Sequence, residues 1–95
     1  MNRRGSCDRV ADYRITFARS ARKELEGLER AILARIWPRI EHLSAEPRPA
    51  GCVKLVGMRS LWRIRVGEYR VIYALDDKQR IVDVIAVRHR REAYH

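Results

Sequence analysis

The chain reads as an α+β protein, an antiparallel sheet packed on an N-terminal helical hairpin in the order β-α-α-β-β-β. Three observations predict this. Apolar residues recur every three or four positions through the first half, the period changes to two beyond a proline-containing connector, and a Gly-Glu pair separates two alternating runs.

Taken in order, Met1 to Asp12 has no periodicity and is expected to be a flexible leader, leaving residues 13–95 as a single domain. Tyr13-Arg-Ile-Thr-Phe17 alternates polar and apolar residues and includes β-branched and aromatic types, as a strand buried on one face requires. Ser20 is placed to cap a first helix whose Ala21, Leu25 and Leu28 share one face, and Gly27 ends it. From Glu29, the positions Ile32, Ile36, Ile40 and Leu43, flanked by Leu33 and Trp37, define a second amphipathic helix. Pro38 lies inside it, where a lost hydrogen bond and a crowded turn predict a kink or break. Glu46-Pro-Arg-Pro-Ala-Gly51 cannot continue a helix and connects to the strands.

Leu61 to Val66 and Tyr69 to Leu75 flank Gly67-Glu68, and glycine at the first central position is what a two-residue type II′ hairpin turn requires. Asp76-Asp-Lys-Gln79 makes a second turn into a strand from Ile81 to Val87.

The totals narrow the function. Lys and Arg number 21 against 12 Asp and Glu, a net charge of +9 spread over both halves, which favours a polyanionic partner such as nucleic acid. Cys7 and Cys52 form neither a paired-cysteine motif nor a cluster with histidine, so the sequence offers no metal site or disulfide framework, and no cofactor is expected. The start of the chain has no apolar run of the secretory kind, and no segment is long and apolar enough to span a bilayer, so a cytoplasmic protein with reduced thiols is expected.

The hairpin turn also fixes a register. It opposes Val66 to Tyr69, Arg65 to Arg70, Ile64 to Val71 and Arg63 to Ile72. Trp62, Ile64, Val66, Tyr69, Val71 and Tyr73 then form one apolar face, and Arg63, Arg65 and Arg70 project from the other. Opposing Arg65 and Arg70 is unfavourable in the free protein, because both guanidiniums are permanently protonated. A phosphodiester resolves the repulsion, since arginine forks match phosphate oxygens and together could stabilise a multiply charged phosphorane. The plainer alternative is a solvated basic face. The chain ends Arg88-His-Arg-Arg-Glu-Ala-Tyr94-His95, mixing phosphate-binding, base-stacking and proton-transfer groups in a way that suits single-stranded RNA, although a basic tail alone would have the same composition.

Four segments carry a resemblance: Lys54-Leu-Val-Gly-Met58, Leu61-Trp-Arg-Ile-Arg-Val66, Gly67-Glu-Tyr-Arg-Val-Ile-Tyr73 and Val87-Arg-His-Arg-Arg-Glu-Ala-Tyr94. From about Tyr13 to Tyr94 the chain resembles the RelE/ParE superfamily of toxins, and within it the RelE-like members; its most specific parts are the Gly-x-Tyr-Arg-x-x-Tyr strand and the closing His-Arg-x-x-x-Tyr. The resemblance implies a toxin held by a small RelB-like antitoxin, as a hetero-oligomer, that cuts messenger RNA on the ribosome without a metal. The 2′-hydroxyl would attack the adjacent phosphate and leave a cyclic phosphate and a 5′-hydroxyl. It assigns Arg65, Arg70, Arg90 and Tyr94 to the catalytic centre and Lys54, Arg63 and His89 to RNA binding. Well-known members carry lysines where Arg63 and Arg65 stand, and one such lysine is a candidate base. Arginine is a poor proton acceptor, so the base stays open among His89, Tyr94, His95 and Glu68. Two alternatives share the fold: a ParE-like gyrase inhibitor and an RNA-binding member whose chemistry has decayed.

Overall fold

The computed structural model describes residues 12–55 and 60–89. Its elements are β1 (Arg14–Phe17), α1 (Arg19–Glu26), α2 (Arg30–His42), β2 (Val53–Lys54), β3 (Leu61–Val66), β4 (Tyr69–Asp76) and β5 (Ile81–His89). They form a five-stranded sheet in the order β1-β5-β4-β3-β2, with both helices on one face. The expected α+β architecture is therefore present, with two additions.

The sheet is mixed, because β1 runs parallel to β5 with Arg14 beside Ile81 and Phe17 beside Val84. The helical hairpin returns the chain to the far side of the sheet, and this long-range pairing leaves no local mark in sequence. The second addition is β2, which pairs antiparallel with β3 and is only two residues long, too short to show a period.

The β3–β4 register is the one the turn predicts, with Val66 opposite Tyr69 and Arg65 opposite Arg70. Gly67 has φ of 61° and Glu68 is not among the residues with positive φ, which matches a type II′ turn and excludes type I′. The core lies between this sheet and the helices. Ala21, Leu25, Ile36, Ile40 and Leu43 meet Ile64, Val66, Val71, Tyr73, Leu75, Val82, Val84 and Val87. Burying each large aliphatic side chain contributes roughly 1.5–3 kcal/mol. Tyr73 is wholly buried and donates its hydroxyl to the Pro47 carbonyl at 2.7 Å, which fastens the connector over the sheet.

Two expectations about the helices are corrected. Ser20 is not the cap of α1; Ala18 holds that position without a side-chain hydrogen bond, and Ser20 lies inside the helix, donating to the Ile85 carbonyl at 2.9 Å. Pro38 does not break α2, which runs on to His42. Pro38 and Ala34, whose carbonyl loses its partner, both lie on the exposed side, where water can satisfy the freed group. Gly27 ends α1 as expected.

A candidate phosphate-binding face

On the face of the sheet away from the helices, cross-strand pairing puts Arg65, Arg70 and Arg88 in a single row over β3, β4 and β5. Arg63 lies two residues from Arg65 on the same strand and face, opposite Ile72. Arg65 is exposed, Arg63 half-buried, and Arg70, in the middle of the row, is only 8% exposed. A buried guanidinium flanked by two more is a costly arrangement for folding alone, because desolvation and like-charge repulsion act together. Such an expense is a mark of function.

Arg88 reaches this row because of a β-bulge. Ile72 pairs with Ala86 and Tyr73 with Val84, so Ile85 has no partner and the register of β5 shifts by one residue. In a regular ladder Arg88 would fall on the helix face and Val87 on the arginine face. A one-residue slip exchanges the faces of everything beyond it. The shift turns Val87 into the core and Arg88 outward, beside Arg70. The bulge has no signature in the sequence, and Arg88 was not among the residues selected there.

The same geometry separates other predicted residues from the row. His89 pairs with Tyr69 on the helix side, with ring centroids 5.3 Å apart and planes at 84°. Lys54 pairs with Trp62, also on the helix side, and its ammonium sits 5.9 Å from the indole centroid. Trp62 is only partly covered; the guanidinium of Arg48 lies 4.9 Å from its centroid on that side. Lys54 and His89 therefore lie on the opposite face from Arg63, Arg65 and Arg70. Of the candidate bases, Glu68 occupies the hairpin turn beside Gly67, and His89 borders the same small cavity of about 220 Å³ on the α2 side. Arg90, Tyr94 and His95 lie outside the described residues. Among the described residues there is no group of three or more His, Cys, Asp or Glu side chains that could hold a metal.

A second surface feature lies between the helices. Phe17, Leu25, Leu33 and Trp37 line an apolar groove of about 620 Å³, with Arg22 and Arg30 at its rim. Trp37 is 39% exposed and stacks on Phe17 with centroids 5.6 Å apart. No described helix is long and apolar enough to cross a membrane.

A helical hairpin on a mixed five-stranded sheet, with a row of arginines on the open face, defines a small RelE-like toxin fold. The chain belongs to the ParE toxin family of type II toxin–antitoxin systems, whose profile matches residues 15–94, within the wider RelE/ParE superfamily. It is 31% identical to Toxin RelG of Mycobacterium tuberculosis over 83 residues, 86% of this chain and 95% of that protein. Among solved structures, the archaeal RelE–RelB complex from Pyrococcus horikoshii matches with a TM-score of 0.74 and 30% identity, covering 83% of this chain and 96% of that one. The isolated RelE toxin of E. coli matches with a TM-score of 0.73 and 26% identity, covering 81% and 83%.

Proposed function

We propose that this toxin is a ribosome-dependent messenger-RNA endoribonuclease, and the observation that carries the reading is the row Arg65–Arg70–Arg88 with its central member buried. In the reaction, the 2′-oxygen of one nucleotide attacks the adjacent phosphorus and the bond to the 5′-oxygen breaks. A 2′,3′-cyclic phosphate and a free 5′-hydroxyl result. Negative charge grows on the non-bridging oxygens as the phosphorane forms. Arg70, held in a poorly solvated position, meets that charge most strongly, and Arg65 and Arg88 clamp it from either side. Arg63, one row away, grips the neighbouring backbone. Tyr94 and Arg90 would orient the nucleotide, and the base that takes the 2′-hydroxyl proton is one of Tyr94, His95 or Glu68, since His89 lies on the opposite face. A toxin with this activity acts in the cytoplasm, at the ribosome.

The test is translation of a reporter message with purified toxin and mapping of the ends. Cleavage within the coding region is expected, and Arg70→Ala should reduce it by about 10²- to 10³-fold. Intact message with normal translation overturns the reading. The ParE family match favours a second reading, inhibition of DNA gyrase. Accumulation of cleaved complexes in a supercoiling assay, with message left whole, would select it.

The toxin also needs a cognate antitoxin, a RelB-like chain such as the one in the P. horikoshii complex. The groove of Phe17, Leu25, Leu33 and Trp37 offers that chain an apolar surface, and Arg22 and Arg30 favour acidic flanks on it. Leu33→Glu should abolish co-purification with the antitoxin and leave message cleavage unchanged; retained binding would exclude this groove.

A further inference from the structure

We infer that Ser20 and Glu24 of α1 are positioning residues that lock the bulged register of β5 and so hold Arg88 in the arginine row. The inference rests on the RNA-cutting reading for its effect on activity, and on the described geometry for the lock itself.

β1 covers the outer edge of β5 only as far as Val84, where the Ala18 amide donates to the Val84 carbonyl at 2.8 Å. Beyond that point β5 has no strand neighbour on this side among the described residues, and open edges of this kind slip easily in register. The first turns of α1 take over from β1. The Ser20 hydroxyl donates to the Ile85 carbonyl at 2.9 Å, and the Glu24 Oε1 accepts the Val87 amide at 2.8 Å. The spacing suits the task. Four residues of helix advance about 6 Å, and two residues of strand advance about 6.6 Å, so residues 20 and 24 meet 85 and 87 in step. Ile85 is the extra residue of the bulge, and the α1 contacts therefore fall on the very segment where the faces exchange.

Glu24 does one thing more. Its Oε2 accepts from the Arg88 Nε at 3.1 Å. That contact uses the inner nitrogen of the guanidinium, and the two terminal nitrogens bond no described residue, which leaves the fork for a phosphate. The pair is partly solvated, with side chains 46% and 29% exposed, and pairs of that kind contribute little to stability. Its value is in aim.

The experiment compares Glu24→Gln, Glu24→Ala, Arg88→Ala and the double variant in the reporter-message assay, with thermal unfolding of each. Glutamine still accepts the Val87 amide but presents a donor to the Arg88 Nε. Glu24→Gln should lower kcat by roughly 10- to 100-fold with a smaller change in KM and little change in Tm. Glu24→Ala should add nothing once Arg88 is already alanine. A Glu24→Gln toxin with wild-type kcat, or losses that multiply in the double variant, would overturn the inference. A second readout is independent of activity: the Arg88 Nε–H in the wild-type protein should exchange slowly with solvent by NMR. Exchange as fast as in free arginine rejects the tether. A wild-type toxin that leaves message intact but protects this Nε–H rejects the RNA-cutting reading and keeps the lock.

Discussion

The two faces of the sheet follow opposite rules, although the same strands build both. On the helix side the central rows are apolar, and Ile64, Val71 and Val87 sit side by side beneath α2 and α1. On the other side the adjacent row is Arg65, Arg70 and Arg88. The first face is closed by folding, since each side chain finds apolar neighbours. The second brings like charges side by side, an arrangement that the proposed phosphate ligand would favour. The contrast teaches that burial alone does not mark the core: Arg70 is as sheltered as Val66, yet only Val66 belongs to the apolar cluster.

The sharpest way to break this contrast is Arg70→Ala. If the open face is built for a ligand, the variant should lose cleavage per folded molecule by about 10²- to 10³-fold, far beyond any change in its stability. Parallel urea titrations and message cleavage would decide it. A marked loss of stability with cleavage per folded molecule intact would show that Arg70 belongs to the scaffold. On the closed face, Ile40→Ala should do the reverse. Ile40 is completely buried, and its truncation should cost about 2–5 kcal/mol of stability while folded molecules still cut at the wild-type rate. Denaturant unfolding measures the first quantity and activity corrected for folded fraction the second.

Gly67→Ala tests the element that serves both faces. The φ of 61° at this turn is open to glycine and strained for alanine, at about 1–2 kcal/mol, and an added Cβ would also come within 3.4 Å of the Arg35 guanidinium. Because the turn sets which residues oppose each other, stability and cleavage should fall together. Loss of one without the other would mean the strands hold their register unaided.

How much of this was legible depends on the range of the interaction. The opposition of Arg65 and Arg70 follows from two residues, Gly67 and Glu68, and could be read by counting outward. The helix core was legible for a similar reason, since Ile36, Ile40 and Leu43 repeat at helical spacing. Arg88 was not legible. Counting back from the Asp76–Gln79 turn puts it on the wrong face, and only the partnerless Ile85 corrects the count. The contacts that fix this bulge come from Ser20 and Glu24, more than sixty residues earlier, and Ser20 looked like a helix cap because that local role was the one visible in sequence. Lys54 and His89 were selected by composition and resemblance, and strand parity sends both to the helix side.

The smallest expected effect lies far from either face, where the β4–β5 turn meets the start of the domain. The Tyr13 hydroxyl donates to Asp77 Oδ1 at 2.6 Å, and Arg48 donates to both carboxylate oxygens at 3.3 and 2.9 Å. Hydrogen bonding by Arg48, and then by Tyr13, holds the Asp77 carboxyl below the usual carboxylate range, while the bond to Asp77 raises the Tyr13 phenol. The sign follows from which form the fold prefers. The ionised Asp77 is favoured in the folded state, so its contribution is present above the ordinary carboxylate value of about 3.9 and is lost as pH falls through the depressed value. The neutral Tyr13 is favoured, so its contribution is full below about pH 10 and is lost as pH rises through the raised value. Asp77→Asn should therefore lower Tm slightly at neutral pH, and the gap from wild type should close as the solution is acidified below about pH 4. Thermal unfolding across that range measures it. A gap that persists unchanged at low pH would mean that the charge on Asp77 is irrelevant and that only its hydrogen-bonding shape holds the connector, which would make Arg48 a partner of Trp62 before it is a partner of the carboxylate.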